Sequence, residues 1–198
     1  EKPLGLNEAE VRAMFAAARE SGVVLMEAFM YRFHPLFERV LELVRGGAVG
    51  EVRTVRSAFS FMNTHGLDDY RWNPAAGGGA LYDLGCYPIS AARTILGREP
   101  DAVLARARLK PGNGVDLATS ILLEFGGPLA LLDCAFDVPF QSWLEAAGSE
   151  GRLAVDRAFS AKNFDVGISI VRGEATESVD IPAANAYTRM VEHFGRAV

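Results

Sequence analysis

Asp83 and Tyr87 stand four residues apart in the segment GGGALYDLGCY, residues 77–87. That spacing puts a carboxylate and a phenol on one face of a helix. A phenol shuttles protons only if its ionisation, ordinarily near pH ~10, is brought within reach, and a cation beside it does so by favouring the phenolate. Lys2 offers that cation. It precedes Pro3, where the backbone is stiff and extended. Each residue also has an ordinary reading. Tyr87 could be a core aromatic with a satisfied hydroxyl, Asp83 its partner or that of a backbone amide, and Lys2 a solvated charge near the chain's start.

The glycines invite a different chemistry, the cradling of a phosphate. A dinucleotide fingerprint needs G-x-G-x-x-G between a strand and a helix. Gly77 and Gly79 match, but Tyr82 takes the place of the third glycine, the preceding NPAA is not a strand, and Asp83 would set a negative charge where phosphates would lie. The glycines therefore read as a close-packed helix entrance. His34, His65 and His193 have no metal-ligand spacing among themselves or with the cysteines, and no metal is expected. His34 and His65 sit in loops and could touch a ligand, whereas His193 reads as a surface residue. Cys86 and Cys134 suggest no disulfide framework and fit a reducing, cytoplasmic setting.

The elements that must position these groups follow from pattern. Asn7 with Glu10 forms a capping box for a helix whose Val11, Met14, Phe15 and Ala18 share a face, with Gly22 just past its end. VVLMEAF, residues 23–29, reads as a strand. Pro35 opens a second helix with Leu36, Phe37, Val40, Leu41 and Val44 buried. EVRTVRSAFSFM is a long strand with Val55, Phe59 and Phe61 on one face, and residues 63–76 read as a loop. The GGG segment starts a third helix reaching about Leu96, in which Pro88 predicts a kink or a division into two. From Asp101 to Ile181, seven strand-like runs are parted by turn residues, with antiparallel hairpins at Gly126-Gly127 and Ser149-Glu150-Gly151. A last amphipathic helix carries Tyr187, Met190, Val191, Phe194 and Val198. The class is α+β, an open sheet with helices on one face. Leu129 and Leu131 face away from Ala130, Leu132, Cys134 and Phe136, so both faces of that strand are apolar, and a second sheet is expected over the outer one.

Composition sets outer bounds. The chain has 198 residues, 49% hydrophobic and 23% charged, with a net charge of −5, values typical of globular proteins. No basic run points to nucleic acid, and no apolar stretch is long enough to span a membrane. Both ends read as cut, so a fragment of a longer protein is expected.

Taken in order, EKP at 1–3, EAFMYRFHP at 27–35, GGAVGEV at 46–52 and YRWNPAAGGGALYDLGCYPISAARTILGREP at 70–100 resemble the glucose–fructose oxidoreductase, inositol dehydrogenase and rhizopine-catabolism (Gfo/Idh/MocA) family of NAD(P)-dependent oxidoreductases. The resemblance covers essentially the whole chain. It implies an N-terminal Rossmann domain that binds the nucleotide, and a C-terminal domain with an open, mostly antiparallel sheet that carries the substrate site and oligomer interface. Residues 1–30 would be the remnant of the first and 31–198 the second. By the same resemblance Lys2 is the EKP lysine near nicotinamide and substrate, Glu1 and Pro3 belong to its cofactor-facing loop, Asp83 is the motif carboxylate, and Tyr87 is the acid/base residue.

Tyrosine departs from the histidine usual in inositol-type members. It resembles the branch of glucose–fructose oxidoreductase, dimeric dihydrodiol dehydrogenase and NADP-dependent xylose dehydrogenase. That branch implies NADP (or NAD) as cofactor and an aldose or cyclic trans-diol as substrate; Arg71, Trp72 and His65, in the loop before the motif, are substrate-pocket candidates. It also implies that this chain, lacking the Rossmann domain, is inactive alone. A homodimer or higher homo-oligomer through the open sheet face is expected. The competing reading is a non-catalytic dimerisation or ligand-binding module.

Overall fold

The computed structural model describes residues 1–161 and 164–198. Among the described residues four α-helices, α1 (Glu8–Glu20), α2 (Pro35–Arg45), α3 (Cys86–Leu96) and α4 (Ala186–Ala197), accompany eight strands. The strands are β1 (Val52–Ser60), β2 (Ala102–Leu109), β3 (Asp116–Glu124), β4 (Leu129–Ala135), β5 (Gln141–Gly148), β6 (Arg152–Asp156), β7 (Val166–Arg172) and β8 (Ala175–Ile181). They form one open sheet in the order β2-β3-β4-β1-β5-β6-β7-β8. Neighbours are antiparallel except β1 and β4, which pair in parallel with Val55 opposite Ala130 and Phe59 opposite Cys134. The expected α+β class and both expected hairpins are present. The parallel pair arises because the chain leaves β1, crosses through α3, and returns by the β2–β3 hairpin.

One face of the sheet carries the core. Leu36, Phe37 and Val40 from α2 and Ala91, Ala92 and Ile95 from α3 pack on Val55, Ile121, Leu132, Leu144 and Ile168. A smaller cluster joins Trp72, Leu84, Val115, Cys134 and Phe136. The opposite face keeps Leu104, Leu129 and Leu131 exposed, as the alternation in β4 required.

Two expectations are corrected and one is met with a different geometry. Residues 23–29 form no strand. A strand needs a ladder partner, none of the described strands lies beside this segment, and Val23 and Val24 stay exposed. His34 is no ligand-facing loop residue: it is buried, and its Nδ1 accepts from the Leu36 amide at 3.1 Å, capping α2 ahead of Pro35. Pro88 divides the third helix, but the irregularity lies ahead of it. Leu81–Gly85 is a π-helical turn running into α3, with the Cys86 amide reaching back to the Leu81 carbonyl. Pro88 has no N–H to give Leu84 at α spacing or Asp83 at π spacing.

Tyr31 is fully buried, donates to Ser90 Oγ at 2.9 Å, and has its ionisation pushed up by burial to about 12. The folded state thus keeps a proton that the unfolded state loses above the ordinary ~10. Stability from this group is complete below about pH 10 and falls by about 2–3 kcal/mol as pH rises through about 12. In urea titrations, Tyr31→Phe should be less stable than wild type at pH 8, and that gap should close or reverse at pH 11.

Candidate active site

The N-terminal segment is tied down at three points. The Leu4 amide donates to Glu27 Oε1 at 3.0 Å, the Tyr82 hydroxyl donates to the Leu6 carbonyl, and Lys2 Nζ donates to Asp83. The Lys2–Pro3 peptide bond is cis. Lys2 Nζ sits 2.9 Å from Asp83 Oδ1 and also donates to the Asp83 carbonyl, an oxygen that Pro88 leaves available. Asp83 Oδ2 accepts from Arg71 Nε at 2.7 Å, and the Tyr70 hydroxyl lies 3.5 Å from Oδ1. A buried carboxylate is thus held between two cations, the arrangement that allows a charge to sit inside a protein.

Tyr87 projects from the first turn of α3 into an aromatic cage. Its ring lies 5.4 Å from Phe29, 5.2 Å from Phe59, and 5.7 Å from both Tyr31 and Phe159, while Lys2 Nζ stands 4.9 Å from the ring centre. No hydrogen bond joins the Tyr87 hydroxyl to any described residue. One sequence expectation fails here. Lys2 is engaged with Asp83 and does not bring the Tyr87 ionisation down. Burial pushes that phenol well above its ordinary range, and Cys86, Tyr187, Asp83 and Glu1 push the same way. Tyr87 is therefore neutral at physiological pH. Cys86 is likewise raised, to about 12, chiefly by burial, and is no thiolate at neutral pH.

Lys2, Asp83 and Tyr87, distant in sequence, are brought together as expected. The three pocket candidates fare differently. Arg71 is committed to Asp69 and Asp83 and so holds the site in shape. Trp72 is buried in the smaller core cluster, its Nε1 donates to the His65 carbonyl, and Lys110 covers its ring at 4.7 Å. His65 is exposed, 3.9 Å from Asp69. Tyr70 and Tyr82 were missed. Together with Glu1, Lys2, Pro3 and Asp83 they line a cleft of about 550 Å³ beside the lysine. Their only sequence signal is two aromatic residues flanking the glycine run.

The glycines behave as a helix entrance. A Cβ on Gly78 would meet the Arg71 and Asn73 carbonyls at 2.7 and 2.8 Å, so the backbone passes too close for any side chain. Among the described residues no group of His, Cys, Asp or Glu could hold a metal, and no helix is long and apolar enough to cross a membrane. The cleft is roomy enough for a nicotinamide ring beside Lys2. Among the described residues Lys2 is the one lysine or arginine lining it, so these residues fit the redox end of a dinucleotide better than its phosphates.

An open, mostly antiparallel sheet backed by helices, with a lysine–aspartate pair packed against a buried tyrosine, defines an α+β domain with a polar cluster at one edge of its core. The particular lineage is settled by comparison: residues 37–154 match the GFO/IDH/MocA C-terminal domain, and the chain belongs to that family. It is 40% identical over its whole length to D-xylose 1-dehydrogenase (NADP(+)) 2 of Haloferax volcanii, covering 61% of that protein. It is 34% identical to trans-1,2-dihydrobenzene-1,2-diol dehydrogenase of Mus musculus, over 89% of this chain and 51% of the relative. A 3-ketoreductase from Actinomadura kijaniata, solved with NADP and TDP-benzene, superposes with a TM-score of 0.93 at 31% identity, over 100% of this chain and 61% of that one. The aldose-aldose oxidoreductase of Caulobacter crescentus, complexed with glycerol, gives 0.91 at 28%, over 99% of this chain and 60% of that one. The chain thus spans less than two thirds of the length of each of these relatives.

Proposed function

We propose that this chain forms the substrate-binding and catalytic part of an NADP-dependent oxidoreductase acting on a hydroxyl or carbonyl carbon of an aldose or a cyclic trans-diol. The observation that carries the reading is Tyr87, its ring caged by aromatic residues beside Lys2 while its hydroxyl bonds to none of the described residues. The buried Tyr31 differs, its hydroxyl being spent on Ser90. Residues 1–30 form the edge of the nucleotide-binding part, and Glu1, Lys2 and Pro3 face the cofactor. NADP, when bound, exchanges hydride between its nicotinamide and the substrate carbon. Tyr87 exchanges the proton at the substrate oxygen, donating it as a carbonyl is reduced and removing it as an alcohol is oxidised. Lys2, fixed by Asp83, holds that oxygen and stabilises its negative charge.

The proton at Tyr87 gives the two directions opposite pH dependence. Reduction uses the neutral phenol, whose ionisation burial has raised. Carbonyl reduction should proceed at neutral pH, while alcohol oxidation should rise toward alkaline pH. The deciding experiment offers the full-length protein a panel of aldoses and cyclic diols with NADP and with NAD, following absorbance of the reduced nicotinamide. Turnover with at least one such substrate is expected. Its absence across the panel would favour a non-catalytic binding or dimerisation module. Residues 1–198 assayed by themselves are expected to turn over nothing.

The outer sheet face supports a homodimer or higher homo-oligomer. Leu104, Leu129 and Leu131 are exposed there, beside half-buried Leu122 and Trp143. Leu131→Arg should shift the mass seen by light scattering at micromolar concentration toward the monomer and leave the circular dichroism spectrum unchanged. An unaltered mass would place the interface elsewhere.

A further inference from the structure

We propose that Asp116, at the start of β3, is the positioning residue for the Lys2–Asp83–Tyr87 site; this rests on the oxidoreductase reading above. The helix that carries Asp83 and Tyr87 begins with no side-chain cap of its own, since Ala80 stands at its entrance. Its cap comes from another element. Asp116 Oδ2 accepts the Leu81 amide at 2.8 Å, and the same oxygen is fixed by the Thr119 hydroxyl at 2.7 Å. The other carboxylate oxygen occupies the space beside Gly79, where a Cβ would lie 2.0 Å from Oδ1. Gly79 has φ +114°, a conformation in which a side chain would be strained, so the second reason for glycine here agrees with the first. Among the described residues no lysine or arginine pairs with Asp116. Its charge faces the amide end of the helix, where a negative group is favoured.

The consequence lies one turn on. The Asp83 amide bonds to the Gly79 carbonyl at 3.2 Å, so the turn gripped by Asp116 is the one that sets Asp83. Asp83 and Tyr87 move as one rigid helix start. Lys2 belongs to the separate N-terminal segment and meets Asp83 at 2.9 Å. A small shift of the helix entrance therefore displaces proton donor and carboxylate together relative to the lysine. Asp116 touches none of the three and acts through the Leu81 amide alone.

The test uses the full-length protein. Asp116→Ala should lower kcat by about ten- to a hundredfold, the scale of a misplaced catalytic group, with the KM for NADP held within about twofold. Asp116→Asn keeps an acceptor for the Leu81 amide and should recover to within about threefold of wild type, since the capping bond is retained. A second readout needs no turnover. In protein labelled with 13C at lysine Cε, the Lys2 resonance, assigned by its loss in Lys2→Arg, should move in Asp116→Ala toward its position in Asp83→Asn, and stay in place in Asp116→Asn. If Asp116→Ala does not fold, Thr119→Val should move the same resonance in the same direction by a smaller amount. A Lys2 resonance that fails to move, or an Asp116→Asn variant as slow as Asp116→Ala, would overturn the assignment. Absence of dehydrogenase turnover in wild type would instead sink the proposed reaction, and the Lys2 resonance would still decide the role of Asp116.

Discussion

Tyr87→Phe should lose about a hundredfold or more of turnover, the scale of removing a general acid/base, while unfolding at the same temperature as wild type. The two halves of that expectation come from the same geometry. The ring is held by Phe29, Phe59, Phe159 and Tyr31, and phenylalanine keeps every one of those contacts. The hydroxyl makes no bond to any described residue, so its removal leaves none of them with an orphaned buried group. Most buried tyrosines would fail this test in the opposite sense, losing stability and no activity. Turnover of the full-length protein and a thermal melt decide the matter together. An unchanged rate would return Tyr87 to the status of a core aromatic.

The pattern of the chain carried the architecture a long way. The capping at Asn7 and Glu10, the proline start of α2, the hairpin glycines and the period-two strands are local signals, each set by a few neighbouring residues, and all appear. What stayed illegible depends on contacts across the fold. Residues 23–29 carry strand composition, yet a strand exists only if another lies beside it. His34 has loop neighbours, but its ring turns back onto the Leu36 amide. The π-helical turn lies ahead of Pro88, at a stretch where no single residue type marks it.

The site divides in the same way. Lys2, Asp83 and Tyr87 could be named because the family resemblance ties their motifs together. Arg71 and Trp72 are pocket candidates in the sequence because they lie in the loop just before the glycine motif. The fold uses both inside, one against Asp83 and one in the smaller core cluster. Asp116 gave no signal at all, since an aspartate at a strand start is common and its partner at Leu81 lies far away in sequence.

Asp83→Ala should be the most destabilising single change at the site, by about 3 kcal/mol, the low end for breaking a buried ion pair. The low end applies because Lys2 and Arg71 keep 15% and 21% of their side-chain exposure, so water partly offsets the loss. The cost comes less from the bonds removed than from two cations left facing each other without the carboxylate between them. The same argument ranks the other variants. Lys2→Met removes one cation and leaves Asp83 bonded to Arg71, so it should cost about 1 kcal/mol, the scale of one hydrogen-bonded partner. The double variant Lys2→Met/Asp83→Ala should be less destabilised than the sum of the two, because the orphaned lysine is gone. Denaturant midpoints of the four proteins close the cycle. Additive losses would mean that Lys2 and Asp83 are neighbours without coupling, and that the lysine is held at the tyrosine ring by its loop alone.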